Sequence, residues 1–338
     1  MAGYLISNLK SLVSKGYDVV IYHWPVNVEA PFIFEEVKGV TYKDRSLFTK
    51  EKLQNDLFEL QPKAIICSGW MDKGYLRVIK SFKKKIPTII ALDNHWTGSI
   101  KQRLMQVASP LILKRIFNYA WVAGEPQALY ARKLGFSGQA LLDGFYSADI
   151  SFFTQQYEQN KEAKKVSFPK VFLFVGRYIK QKGIYEMWDA FIALKKEHPN
   201  DWKLWCAGAG DDFDKRIEHP DIKHFGFVQP SEMARIIRQS GVFILPSHFE
   251  PWGVVVHEFA SAGMPLLLSE EIGSASAFLK AGENGELFRA KSVDEIKNVM
   301  IKTMSTSNDE LNLMSEKSQK LSDWIDSDKW CEKLINLL

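Results

Sequence analysis

Two glutamates, Glu250 and Glu258, stand on either side of seven residues in "LPSHFEPWGVVVHEFASAGMP" (245–265), and two cations, Arg177 and Lys182, stand in "GRYIKQKG" (176–183). Gly176 ends an apolar run and Gly183 opens a helical pattern, so both cations fall in a turn beside a helix N-terminus. Free amide donors and the positive dipole end point the same way there, which makes an anion site that a diphosphate fits. In the second stretch Gly253, next to Trp252, removes a side chain where a helix begins, so a ligand can touch main-chain amides. Glu258 then lies one to two turns inside, at a depth suited to accepting hydrogen bonds from a ribose diol. Glu250 lies at the turn, beside whatever sugar the diphosphate carries. Taken alone, each motif also fits solvated surface charge; their order along the chain favours a site.

These turns need strands in front of them. "YDVVIYHW" (17–24), "PKAIICSG" (62–69), "IPTIIALD" (86–93), "YAWVAG" (119–124) and "QALLDG" (139–144) read as strands, most of them followed by amphipathic segments. The rhythm resumes with "KVFLFVG" (170–176), "WKLWCAG" (202–208), "IKHFGFV" (222–228), "GVFILP" (241–246) and "MPLLLSE" (264–270). Continuous apolar strands alternating with helices indicate parallel sheets covered on both faces. Ligands of such sheets settle beyond the carboxyl ends of the strands. After "VFLFV", Ile184, Met187, Trp188, Phe191 and Ile192 recur at helical spacing. The polar stretch 154–168 reads as a linker. The expected division is a first Rossmann-like lobe over 1–153, a second over 169–318, and a C-terminal helix, 319–338, packing back on the first. "SVDE" (292–295) reads as a capping box.

The composition agrees with two domains: 338 residues exceed one simple core. Lysine plus arginine is 44 against 40 aspartate plus glutamate, a net charge of +4, too small an excess to argue for nucleic acid. "SFKKKIP" (81–87) reads as a solvated helix end. The three cysteines, Cys67, Cys206 and Cys331, form no CxxC pair, which speaks against a zinc ribbon or disulfide framework and suits a reducing compartment. No apolar run approaches the ~20 residues that cross a bilayer. The start, "MAGYLISNLKSLVSKG", places Leu5, Leu9, Leu12 and Val13 at helical spacing and reads as an amphipathic helix, not a signal peptide. A cytoplasmic protein is expected, with attachment to the inner face of a membrane left open by its mild basicity.

At "FVGRYIKQKGIYEMWDAF", "LWCAGAG", "HFGFVQPSEMARII", "LPSHFEPWGVVVHEFASAGMPLLLSE" and "GENGELF", the sequence resembles the retaining glycosyltransferases of the GT-B fold, family 4, also called glycosyl transferases group 1. The resemblance is dense over 170–290 and loose elsewhere. It implies an α/β GT-B architecture, two Rossmann-like lobes with parallel sheets facing across a cleft and a C-terminal helix returning to the first lobe. It implies transfer of a sugar from a nucleoside-diphosphate sugar to a glycan or lipid-linked acceptor with the anomeric configuration retained, in cell-surface polysaccharide synthesis. Arg177 and Lys182 would grip the diphosphate, Glu258 the ribose, and Glu250 with Pro251, Trp252 and Gly253 the donor sugar. Phe227 and Val228, in "FGFV", would offer backbone contacts to the base. Fixed cations and helix ends can stabilise a departing diphosphate without a metal, so no metal or cofactor is expected. "DDFD" (211–214) contains a D-x-D, but it follows the Gly208 and Gly210 turn and reads as a helix start, where acids favour the dipole.

The acceptor is expected on the first lobe. "DNHWTGS" (93–99) places His95 and Trp96 after a strand, and members of the resembling family often carry a histidine there, which gives His95 a sugar contact or proton-handling role. Trp70 and Tyr75, after "AIICSG", could stack on acceptor sugars with Trp96, or be partly buried packing. Family members usually begin with a strand and a glycine-rich turn, whereas this chain begins at "MAGYLISN"; a first strand of the lobe is expected to be missing. The alternatives are a nucleotide-sugar-binding protein without turnover, and a sugar-nucleotide epimerase or a phosphorylase on the same scaffold.

Overall fold

The computed structural model of the chain describes residues 3–25 and 36–338. They divide into two compact units, one of residues 1–148 with 325–338 and one of residues 149–324. Each is a Rossmann-like α/β unit with parallel strands, as the alternating pattern predicts.

The first unit runs α1 (Gly3–Ser14), β1 (Val19–His23), β2 (Val40–Asp44), α2 (Lys50–Leu60), β3 (Ile65–Ser68), α3 (Lys73–Ile79), β4 (Thr88–Leu92), α4 (Ile100–Ala108), β5 (Tyr119–Val122), α5 (Glu125–Lys133) and β6 (Leu141–Leu142). All five expected strands are present. β2 is an addition, a half-exposed "VTYKD" whose charged end gives no apolar run to read. Among the described residues the strands form two separate sheets, β1-β2 and β3-β4-β5-β6, every pair parallel. Tyr75 spends its hydroxyl on the Tyr22 carbonyl of β1 at 2.9 Å. Ile90, Leu92, Val122, Tyr130, Leu134 and Phe136 form the core around the four-stranded sheet. Lys83, expected as solvated, instead donates to the Phe117 carbonyl at 2.9 Å and to that of Lys114.

The second unit opens on α6 (Ile150–Val166), so the stretch expected as a linker, 154–168, is almost all helix. The polar composition hides the helix because its buried side is itself mostly polar: Gln156, Asn160 and Lys164 are buried at helical spacing with Phe153 and Tyr157. There follow β7 (Val171–Val175), α7 (Ile184–Glu197), β8 (Lys203–Ala207), β9 (Ile222–Gly226), α8 (Pro230–Gln239), β10 (Val242–Leu245), α9 (Val254–Ser261), β11 (Leu266–Ser269), α10 (Ala275–Phe278), β12 (Gly285–Phe288), α11 (Val293–Met304) and α12 (Asn308–Ser322). The sheet order is β12-β11-β10-β7-β8-β9. The chain therefore starts in the middle at β7, builds outward to β9, and returns to lay β10 against the other side of β7. That reversal is a topological switch point, where open α/β sheets leave a crevice between diverging loops. α7 buries Ile184, Met187, Trp188 and Phe191, the predicted stripe, while Ile192 is half-buried. Ser292 caps α11 by accepting from the Glu295 N–H, but the Glu295 carboxylate turns to Arg289, so only half of the expected box forms.

The last helix, α13 (Ser327–Ile335), belongs to the first unit, as expected for the C-terminal return. Trp330 stacks on Trp121 with ring centroids 4.5 Å apart and donates its indole N–H to the Phe145 carbonyl at 2.8 Å. Asp328 pairs with Lys15, just past α1, at 2.8 Å. All three cysteines are buried and free. Among the described residues no helix is long and apolar enough to cross a membrane.

Candidate functional site

Of the residues singled out in the sequence, Lys182 and Glu250 are brought into direct contact: the Lys182 ammonium is paired with a Glu250 carboxylate oxygen, both side chains less than a fifth exposed. Lys182 ends a 3-10 turn, Lys180–Lys182, after β7. Glu250 lies in the turn after β10. Because β7 and β10 are neighbours in the sheet, the pair sits at the switch point. The two turns are fastened by main chain: the His248 N–H donates to the Gln181 carbonyl at 2.8 Å. Glu250 is also held in place, its N–H donating to the Glu271 carbonyl and its carbonyl accepting from the Gly273 N–H, both at 3.0 Å.

Two glycines make this approach possible. Gly183, the N-cap of α7, has φ of +68°, and a Cβ on it would stand 2.0 Å from the Pro246 carbonyl oxygen. Gly253, the N-cap of α9, has φ of +89° and leaves 3.0 Å between an added Cβ and Glu250 Cγ. Both positions need a residue that adopts the left-handed region without strain. The consequence is two helix N-termini, of α7 and α9, opening beside the same ion pair.

Arg177 follows Gly176 at the end of β7; it is exposed and makes no ion pair among the described residues. Gly176 is tied to β8 through its N–H to the Ala207 carbonyl at 3.0 Å. Glu258 lies on α9, half-buried, with no hydrogen bond to its carboxyl group among the described residues. Burial first, and the Asp149 carboxylate second, push its pKa up to about 7. Such a carboxyl group is ready to accept hydroxyl donors, since they would compensate a desolvated charge. Trp252 is buried, its ring against Phe278 and Trp324, so only its main chain is available at the turn. Phe227 and Val228 are half-buried and follow β9, two strands from β7 and so about 10 Å along the same sheet edge.

The D-x-D carboxylates are engaged locally. Asp212 pairs with Lys215 at 2.7 Å and Asp214 with Arg216 at 3.9 Å, and the segment forms a 3-10 turn from Phe213, not an α-helix. Among the described residues no group of three or more His, Cys, Asp or Glu side chains is placed to hold a metal ion.

A second pair at the site escaped the sequence reading. His248 Nε2 lies 3.1 Å from Glu186 Oε1, joining the turn after β10 to the first turn of α7. The signal was present: His248 lies two residues before Glu250 in the same turn, and Glu186 three residues after Gly183.

The other candidates belong to the first unit. His95 follows β4, half-buried, its carbonyl accepting from Gln102 Nε2 at 2.6 Å. Trp70 and Trp96 are brought together over one ring, Tyr130, at centroid distances of 6.3 and 5.6 Å, and both pack on the core. Tyr75, with its hydroxyl spent on Tyr22 and its ring under the Arg45 guanidinium at 4.9 Å, is a packing residue.

Comparison with known proteins bears on this geometry. Residues 155–321 match the family model "Glycosyl transferases group 1". The chain is 32% identical over 124 residues to a glycogen synthase of Mycobacterium tuberculosis, covering 35% of this chain and 30% of that protein. It is 29% identical over 136 residues to a lipopolysaccharide 1,6-galactosyltransferase of Salmonella typhimurium, covering 38% and 37%. The matched regions thus span about a third of the length of these relatives. Among solved structures, Anabaena HepE in complex with UDP superposes with a TM-score of 0.67 at 15% identity, over 88% of this chain and 84% of that one. A glycosyltransferase from Rickettsia africae gives 0.69 at 11% identity, over 98% and 92%. The fold is that of the GT-B glycosyltransferases, and residues 155–321, which carry the switch-point site, match the glycosyl transferases group 1 family.

Proposed function

We propose that the chain transfers a sugar from a nucleoside-diphosphate donor to a glycan or lipid-linked acceptor, with retention at the anomeric carbon and without a metal ion or other cofactor. The observation that carries the reading is the Lys182–Glu250 ion pair at the switch point, between two helix N-termini. A donor's diphosphate would lie across those N-termini with Lys182 and Arg177 on its oxygens. Glu258 would accept hydrogen bonds from the ribose hydroxyls, and the base would reach the main chain at Phe227 and Val228. Glu250, with the main chain at Trp252 and Gly253, would meet the transferred sugar.

In the transfer, the bond from the anomeric carbon to the diphosphate oxygen breaks, and its electron pair leaves with that oxygen. Arg177, Lys182 and the helix amides stabilise the new charge as it develops, the kind of fixed donor whose loss costs on the order of 10² to 10³ in rate. The acceptor hydroxyl bonds to the same carbon, and its proton passes to the departing diphosphate. His95 is assigned a sugar contact, and Trp70 and Trp96 a stacking surface for the acceptor. The names of the relatives, a glycogen synthase and a lipopolysaccharide galactosyltransferase, support a hexosyl donor and a polysaccharide product.

The test is a donor screen. UDP-, GDP- and ADP-sugars are incubated with the protein in EDTA, and release of nucleoside diphosphate is followed with and without glycan acceptors. Turnover of one donor that survives the chelator supports the reading; nucleotide binding with no turnover on any donor favours a binding protein instead.

A further inference from the structure

Helix α4 wears its apolar face outward. Ile100, Leu104, Val107 and Leu111 follow one another at helical spacing and are 78%, 66%, 80% and 65% exposed. No residue of the helix is buried. The side turned to the protein is the mixed one: Gln102 donates to the His95 carbonyl and accepts from the Thr97 and Gly98 N–H groups, Met105 packs on the core, and Ser109, just past the helix, is fully buried with its hydroxyl on the Leu134 carbonyl at 2.6 Å. A helix that turns three large aliphatic side chains outward, with a fourth, Leu111, in the turn after it, is built the wrong way round for water.

The charge around the stripe says what covers it. From residue 94 to residue 124 the sequence contains Lys101, Arg103, Lys114 and Arg115 and no aspartate or glutamate. Lys101 and Arg103 flank the stripe within α4; both are exposed, and neither has a carboxylate partner among the described residues. A second copy of the chain docking by the same face in a two-fold pair would set these cations against their own counterparts. An anionic bilayer surface satisfies both features at once, taking the aliphatic side chains below the headgroups and the cations at their level.

We infer that α4 and the turn after it form a membrane-surface anchor, with Ile100, Leu104, Val107 and Leu111 entering the interface of an anionic bilayer and Lys101, Arg103 and Arg115 pairing with its lipid phosphates. The anchor is shallow and reversible, and its affinity falls with salt. It stands independently of the sugar-transfer reading, because it uses no residue of the switch-point site.

Vesicle co-sedimentation tests it, with phosphatidylcholine alone and with phosphatidylcholine containing 30% phosphatidylglycerol. The wild-type protein is expected to bind the mixed vesicles at least tenfold more tightly than the neutral ones. The double variant Leu104→Ser, Val107→Ser is expected to lose at least tenfold in binding to the mixed vesicles, as is Lys101→Glu, Arg103→Glu. All four positions are exposed, so both variants should unfold thermally like the wild type. A wild-type protein that stays in the supernatant with anionic vesicles, or a serine variant that binds them as well as wild type, overturns the anchor. So does a concentration-dependent dimer in vesicle-free sedimentation that the serine variant abolishes, since the stripe would then be a protein interface. Donor binding by itself enters none of these readouts, so failure here leaves the transferase reading standing, and the reverse also holds.

Discussion

The Lys182 ammonium and the Glu250 carboxylate meet although 68 residues separate them. The pairing has two consequences for a diphosphate arriving between the helix N-termini. The ligand finds a cation already in place, and it must draw that cation partly away from its carboxylate. Removing Lys182 and removing the charge of Glu250 should therefore act in opposite directions on diphosphate affinity. Lys182→Ala is expected to weaken nucleoside diphosphate binding in titration calorimetry and to lower turnover by about 10² to 10³. Glu250→Gln frees the ammonium, so diphosphate affinity should hold or rise while sugar transfer falls. Parallel loss of diphosphate affinity in both variants would mean that the pair is structural.

Glu258 ties the site to pH. Its carboxyl is pushed up from an ordinary 4.5 to about 7 by burial and by Asp149. An acid whose pKa is higher in the fold than in the unfolded chain binds its proton more tightly when folded. Its contribution to stability is then fully present below about 4.5 and is lost as pH rises through about 7. The shift corresponds to about 3 kcal/mol. Glu258→Gln cannot ionise, so relative to wild type it should gain about that much in urea unfolding at pH 8 over pH 4. An advantage that does not change with pH would contradict the burial of this carboxyl. Ribose hydroxyls favour the ionised form, so nucleoside binding at pH 7 should release a proton. Calorimetry in two buffers of different ionisation enthalpy will register it, and the release should shrink in Glu258→Gln.

Much of this was legible in the sequence because the relevant signals are local. All ten strands expected from apolar runs are present, and the stripe of α7 was legible because its period is that of a helix. The two missed strands, β2 and β12, are as long as most of the others, but "VTYKD" and "GELF" are interrupted by polar residues and glycine and give no apolar run. α6 reads as a linker because even its buried side carries Gln156, Asn160 and Lys164, which leaves no apolar stripe at helical spacing. The pairing of Lys182 with Glu250, and the burial of Trp252 between Phe278 and Trp324, depend on which strands become neighbours. Nothing at either position reports that order. The outward stripe of α4 had the opposite fate, since its spacing is legible as a helix but an apolar face is read by default as core.

The pair that the sequence reading missed carries its own prediction. His248 holds Glu186 through Oε1, while Glu186 Oε2 is buried with no hydrogen-bond partner. His248→Ala should leave both oxygens of a half-buried carboxylate without a donor, at a cost of about 1 to 3 kcal/mol. Changing Glu186 to Ala in the same protein removes the orphaned group, so the double variant should recover part of the loss in thermal unfolding. If the two effects simply add, the contact contributes nothing of its own.

The stacking of Trp330 on Trp121 tests how the C-terminal helix is held. Both rings are buried, their planes are 21° apart, and the Trp330 indole N–H is satisfied by the Phe145 carbonyl. Trp330→Ala removes the ring and opens a cavity against Trp121 and Phe145. A loss of about 3 to 5 kcal/mol is expected in urea unfolding. Trp330→Phe keeps an aromatic face and forfeits the hydrogen bond, so it should cost less, about 1 to 2 kcal/mol. Near-ultraviolet circular dichroism should lose the coupled tryptophan signal in both variants. Nucleoside diphosphate affinity, assigned by the proposal to the second unit, should stay at the wild-type value wherever the protein remains folded. A Trp330→Ala protein as stable as wild type would show that the helix is held by its surface ion pairs and not by the stacked rings.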